Sequence, residues 1–164
     1  IAAMGVALVF SVEGQRMAKL LAGRIPMVEA LPYTVEPDWE PVMDALRPRA
    51  EAADRLVTSN SMKALYYLGR YDYELNASIV AETDTGEDFG TAPRTGRQAI
   101  SSPAAVSRVV GRPGSTLVVI EEESMNRETH VSAAALAALA RYCGRIELPA
   151  GSGMAAWECP ASGG

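Results

Sequence analysis

The sequence predicts an α/β domain: a three-layer sandwich with a mainly parallel sheet and Rossmann-like topology. Three observations carry that prediction. Residues 54 to 76, DRLVTSNSMKALYYLGRYDYELN, read as strand, helix and strand within 23 residues. Residues 116 to 121, TLVVIE, form an unbroken apolar, mostly β-branched run, the pattern of a strand buried on both faces. Helical and strand patterns then alternate toward the C-terminus, which favours parallel strands joined by crossover helices.

The first ten residues, IAAMGVALVF, are apolar, but Ser11, Glu13 and Gln15 follow at once, well short of the ~20 residues that span a bilayer. Two readings stay open. Val6, Val9, Phe10, Met17, Leu20 and Leu21 can share one face of an amphipathic helix, or the run is the outer end of a truncated transmembrane helix. No basic residue precedes the run, which disfavours a signal peptide. Gly23, Pro26, Pro32 and Pro37 then exclude a long regular element. Residues 1–37 are therefore an N-terminal helix and linker, residues 38–160 the α/β domain, and residues 161–164 a tail.

Asp38 caps a helix with Trp39, Val42, Met43 and Leu46 as its apolar stripe, and Pro48 is expected to kink or end it. The first core strand runs from Asp54 to Thr58. Ser59 and Asn60 are N-cap residue types, Met62, Leu65, Tyr66 and Leu68 recur at helical spacing, and Gly69 suits a left-handed stop. Tyr66 and Tyr67 read as core and sheet-packing residues. Tyr71, Tyr73 and Leu75 alternate as the second strand, with Ile79-Val80-Ala81 as its continuation. From Glu82 to Gln98 three glycines, one proline and no periodicity predict an irregular segment, mobile over residues 84–98.

Ser102-Pro103 opens a helix that buries Val106, Val109 and Val110 and ends at Gly111. After a turn at Gly114 and Ser115, Thr116 to Glu121 is the central strand, beside the Leu56 strand. An alanine-rich helix follows from Ser132 to Tyr142, stopped by Gly144, then a strand over Arg145 to Leu148 and an edge strand over Ala155 to Cys159.

The chain of 164 residues can bury a core without staples. A net charge of −5 and a pI near 4.9, without a Lys/Arg-rich run, argue against a nucleic-acid partner. Cys143 and Cys159 enclose 15 residues, and in an oxidising compartment a bridge would stabilise by ~3 kcal/mol. Nothing in the sequence brings them together, so two separate buried thiols are expected.

His130 is the only histidine, which excludes a multi-histidine metal site, and neither GxSxG nor HExxH occurs. Its place before the alanine-rich helix reads as a flanking position rather than a catalytic one. The cysteines lack CxxC spacing, and no GxGxxG follows a strand, so neither a metal nor a cofactor is expected. Glu121, Glu122 and Glu123 read as a solvated surface at the edge where open α/β sheets bind ligands. A cation held by Glu121 with Asp72 or Asp84 is a weaker alternative.

The best binding element is the Ser59-Asn60-Ser61 turn, where a helix N-terminus can hold a phosphate or a sugar hydroxyl. Simple N-capping is the plainer reading. Arg70, Arg94 and Arg97 are the candidate bidentate partners for an anion. No nucleophile, base and orienting group fall into a recognisable spacing, so no catalytic residue is assigned. An enzyme using Glu121 or Asp72 as a base is a third reading.

The YYLGRYDYEL string after DRLVTSNS, with Asp38-Trp39 upstream and Thr95-Gly96-Arg97 downstream, resembles the C-terminal soluble domain of membrane glycosyltransferases. The family includes dolichyl-phosphate-mannose mannosyltransferases and the aminoarabinose transferases of lipid A. The resemblance covers about residues 36 to 158, and YYLGRxDY is its most specific piece. In that family the chemistry is carried by an acidic residue in a loop between the first membrane helices, and these residues hold no such loop. The resemblance implies a non-catalytic extracytoplasmic domain attached to the membrane portion of the same polypeptide. There it would aid donor or acceptor access in an enzyme using a polyprenyl-phosphate sugar. The competing reading is a free-standing α/β module that binds a small anionic or sugar ligand.

Overall fold

The computed structural model describes residues 38–82, 88–125 and 130–161. The readings of residues 1–37 and of Asp84 lie outside the described residues.

Asp38 accepts the Glu40 N–H at 3.0 Å and opens a 3-10 turn, Glu40–Val42, that leads into α1, Met43–Ala52. α1 continues past Pro48 to Ala52, so the proline does not end the helix. Burial of Met43, Leu46 and Ala50 on both sides of the proline offsets the hydrogen bond that its missing N–H removes. The Arg49 guanidinium also donates to the neighbouring Ala45 carbonyl at 2.7 Å.

The remaining elements are β1 (Arg55–Thr58), α2 (Ser61–Leu68), β2 (Tyr73–Leu75), α3 (Ala77–Glu82), β3 (Phe89–Thr91), β4 (Gln98–Ile100), α4 (Pro103–Val110), β5 (Thr116–Glu121), α5 (Glu122–Met125), α6 (Ala133–Tyr142), β6 (Gly144–Ile146) and β7 (Met154–Cys159). They form an α/β domain around a seven-stranded sheet of order β3-β4-β2-β1-β5-β7-β6. The inner strands β4, β2, β1 and β5 are parallel, while β3, β7 and β6 pair antiparallel. The sheet is thus mixed, with its parallel part in the core.

Alternation along the strands divides the side chains between two cores. Val57, Tyr73, Leu75, Ile100, Val118, Ile120 and Trp157 pack on α4 and α6 through Val106, Val109, Ala135 and Leu139. Leu56, Leu117, Val119, Met154 and Ala156 pack on α1 and α2 through Leu46, Ala50 and Ala64. Every residue of β5 is buried, as its apolar run predicts.

Four expectations need correction. Ile79-Val80-Ala81 belongs to α3 and does not extend β2, because the Asn76 side chain accepts the Ser78 and Ile79 N–H groups at 3.1 and 3.4 Å and starts a helix. Within the segment expected to be irregular, Phe89–Thr91 pairs with Gln98–Ile100 as a hairpin closed by the Ala92 N–H on the Arg97 carbonyl at 2.8 Å. The C-terminal strand is interior, because β6 folds back onto it and takes the edge. Cys143 and Cys159 form a disulfide across a Cα separation of 4.1 Å. Cys143 ends α6 and Cys159 ends β7, and the sheet order brings those two ends together.

Candidate functional site: a polar cleft at the carboxyl ends of the parallel strands

The chain passes from β1 outward to β2 and β4, then returns across the sheet to place β5 on the other side of β1. Strand order reverses between β1 and β5, the point where open α/β sheets form a crevice. Residues that follow or end these strands meet there.

Asn60 is the N-cap of α2, accepting the Lys63 N–H on its side-chain oxygen at 3.1 Å. Its amide nitrogen donates to both Glu121 carboxylate oxygens, at 3.2 and 3.1 Å. The Trp39 indole N–H reaches the same carboxylate at 2.9 Å and the Lys63 ammonium lies 3.3 Å from it. The Ser59 hydroxyl accepts the Glu121 N–H at 2.9 Å. Glu121 is therefore a buried carboxylate held by the Asn60, Trp39 and Lys63 side chains beside the start of α2, not part of a solvated acidic surface. Trp39 in turn stacks on Tyr67 with ring centroids 5.8 Å apart. Tyr66 is 82% exposed, contrary to its expected core role, and meets Tyr67 in a T-shaped contact with ring centroids 4.8 Å apart.

One strand away, Glu74 lies in register with Thr58 and faces the α2 side, opposite to Tyr73 and Leu75. It is 7% exposed. Burial pushes its carboxyl above the ordinary carboxylate range, and hydrogen bonds from Ser61 and Asn76 and the charge of Arg94 only partly oppose that shift.

Two adjoining cavities complete the cleft. The first, about 260 Å³, touches Ser59, Asn60, Ser61, Met62, Glu121 and Glu123, and the second, about 350 Å³, touches Ile79, Ala92 and Pro93. Ser61, Glu74, Asn76, Arg94 and His130 line both. His130 is anchored through its carbonyl, which accepts the Ala77 N–H at 2.8 Å, and its buried Nδ1 has no hydrogen-bond partner among the described residues.

Of the arginines assigned to the turn, only Arg94 arrives. α2 carries the chain about 12 Å back across the sheet, so Arg70 sits at the opposite edge, donating to the Ala53 carbonyl at 3.0 Å and pairing with Asp72 at 3.3 Å. Asp72 is held there too, accepting the Leu56 N–H at 2.8 Å, so it meets neither Glu121 nor a shared cation. Arg97 precedes β4 and lies over the Tyr71 ring, 4.9 Å from its centroid, again at the strand-start edge. Among the described residues no group of three or more His, Cys, Asp or Glu side chains is placed to hold a metal, and no helix is long and apolar enough to cross a membrane.

Sequence reasoning missed Glu74, Asn76 and His130. A charged residue inside a strand otherwise made of Tyr73 and Leu75 is the signal that could have found the first. Three carboxylates, Glu74, Glu121 and Glu123, and the Arg94 guanidinium line the first cavity, and the Lys63 ammonium offsets the Glu121 charge from 3.3 Å. The cleft is suited to groups that donate hydrogen bonds. Compared with known proteins, the chain matches no family model, no curated protein and no solved structure.

Proposed function

We propose that this chain is a non-catalytic, ligand-binding α/β domain whose site is the cleft at Ser59, Asn60 and Ser61. The single observation that supports it most is the convergence of Asn60, Ser61, Glu74, Asn76, Arg94 and His130 on one pair of cavities at the strand-order reversal. The parallel order β4-β2-β1-β5 is what a Rossmann-like topology requires, and ligands of such sheets sit at this edge.

Within a larger assembly, this reading places the domain on the extracytoplasmic face of a membrane glycosyltransferase that uses a lipid-phosphate sugar, where it helps donor or acceptor reach the membrane site. The sequence likeness at residues 66–73 supports that context, and so does the Cys143–Cys159 disulfide, since such bonds persist in oxidising compartments. The test of binding is to follow amide shifts of the 164-residue chain against simple sugars and sugar phosphates. Shifts centred on Asn60 that disappear in a folded Asn60→Ala variant are expected, and shifts elsewhere would reduce the turn to a helix cap. The test of context is the coding sequence upstream of Ile1, where several apolar segments of ~20 residues are expected.

A further inference from the structure

The sheet ends on β6, a strand of three residues that pairs with β7 on one side and has no strand on the other among the described residues. Such an edge offers unpaired backbone N–H and C=O groups to one more strand, and proteins usually block it with charge. This edge is firmly held. Its first rung sets Gly144 against Glu158, and the Cys143–Cys159 bridge ties the residues just outside that rung. Two cavities, of about 540 and 580 Å³, run along it and share Arg145, Ile146 and Glu147, so among the described residues neither end of the strand is covered.

The side chains of this edge fall on two faces. Ile146 and Leu148 pack on the core shared with α1 and α2, so alternation sets Arg145 and Glu147 together on the opposite face. The Arg145 guanidinium lies over the Trp157 ring, 6.0 Å from its centroid, and among the described residues neither Arg145 nor Glu147 has an ion-pair partner. The other edge of the sheet differs: beside β3, Arg108 pairs with Asp88 and lies 4.8 Å from the centroid of Phe89. There the charges already answer one another.

Arg145 and Glu147 share a face, carry opposite charge and flank Ile146 symmetrically. In an antiparallel pair related by a two-fold axis at Ile146, each Arg145 falls opposite the second copy's Glu147, and symmetry makes that contact twice. In-register parallel pairing would instead set like charges against each other. We infer that two copies of this chain associate through β6, antiparallel about Ile146, and join their sheets into one. None of these residues lines the cleft, so the pairing stands or falls separately from ligand binding there.

A contact of this length buries less than the ~1,000 Å² of a stable interface, so a weak dimer is expected, and light scattering follows the chain up to ~1 mM. The full 164-residue chain should gain mass with concentration. Arg145→Glu and Glu147→Arg should each weaken association at least ~5-fold, because each turns both symmetric attractions into repulsions. An equimolar mixture of the two variants should recover a dimer, since one brings only carboxylates and the other only guanidinium groups to the shared face. The double reversal, Arg145→Glu with Glu147→Arg, should associate as the parent does. Far-ultraviolet circular dichroism checks that each variant folds, and the double reversal decides if a single one does not. A chain that stays monomeric throughout would overturn the inference. So would a dimer that neither reversal weakens, which would use another surface, or one that neither the mixture nor the double reversal restores.

Discussion

Replacing Glu121 should destabilise the junction of β5, α2 and the turn before α1 by more than any exposed carboxylate does. The Glu121 side chain is 9% exposed and holds three donors, the Trp39 indole at 2.9 Å, the Asn60 amide at 3.1 Å and the Lys63 ammonium at 3.3 Å. In Glu121→Ala the indole N–H of Trp39, a residue only 1% exposed, loses this acceptor where water cannot easily replace it, at about 1–3 kcal/mol. The Asn60 bond adds about 1 kcal/mol. Lys63 is 23% exposed and can turn to water, so its ion pair adds little. The sum is about 2–4 kcal/mol. Glu121→Gln keeps one acceptor oxygen but sets an amide NH₂ among donors, and about 1–2 kcal/mol is expected. Trp39→Phe removes the N–H and also shrinks a buried ring that stacks on Tyr67, so the cavity adds to the lost bond and about 2–4 kcal/mol is expected. Urea unfolding followed by far-ultraviolet circular dichroism measures each loss, and the Trp39→Phe, Glu121→Gln cycle should show coupling of ~0.5 kcal/mol or more. A Glu121→Ala variant within ~0.5 kcal/mol of the parent would refute the reasoning, because the carboxylate would then be a bystander.

Two further outcomes follow from the same coordinates. The folded pKa of Glu74 is raised above its ordinary 4.5, so the folded state holds the proton more tightly and loses stability as pH rises through that raised value. Glu74→Gln should therefore gain on the parent as pH rises above the ordinary carboxylate value of 4.5, and a pH-independent difference in urea midpoint would count against burial as the cause. Reducing the Cys143–Cys159 bridge, which closes a 15-residue loop, should lower unfolding free energy by about 3 kcal/mol and depress Tm by several degrees. An unchanged Tm in Cys143→Ser would show that the bridge constrains nothing that unfolding releases.

Much of the fold could be read locally. The β1-α2-β2 unit needed only an N-cap at Asn60, helical spacing through Leu68 and a glycine able to take φ 73° at Gly69. The α4 and α6 starts were equally legible, since Ser102 and Ser132 accept the Ala105 and Ala135 N–H groups at 3.0 and 3.2 Å. Where reading failed, the local pattern was compatible with two structures. Ile79-Val80-Ala81 is too short an apolar run to tell helix from strand, and the Asn76 cap decided it. β3 has three residues, one of them Gly90, and exists because β4 supplies its partner.

The candidate site divides along the same line. By itself the sequence determined the elements that bear it: a helix opening at Asn60, a buried strand ending at Glu121, and a strand whose alternation turns Glu74 away from Tyr73 and Leu75. Only the tertiary structure decided which polar groups meet. Arg70 and Arg97 stand nearer to Asn60 in sequence than Glu121 does, yet the directions of α2 and β4 carry them to the far edge. Glu121 and His130 reach Asn60 and Glu74 because β5 pairs with β1 and the His130 carbonyl ties to the start of α3. Those pairings are chosen by how the whole chain buries its apolar surface and satisfies its backbone, and no short window of sequence holds that information.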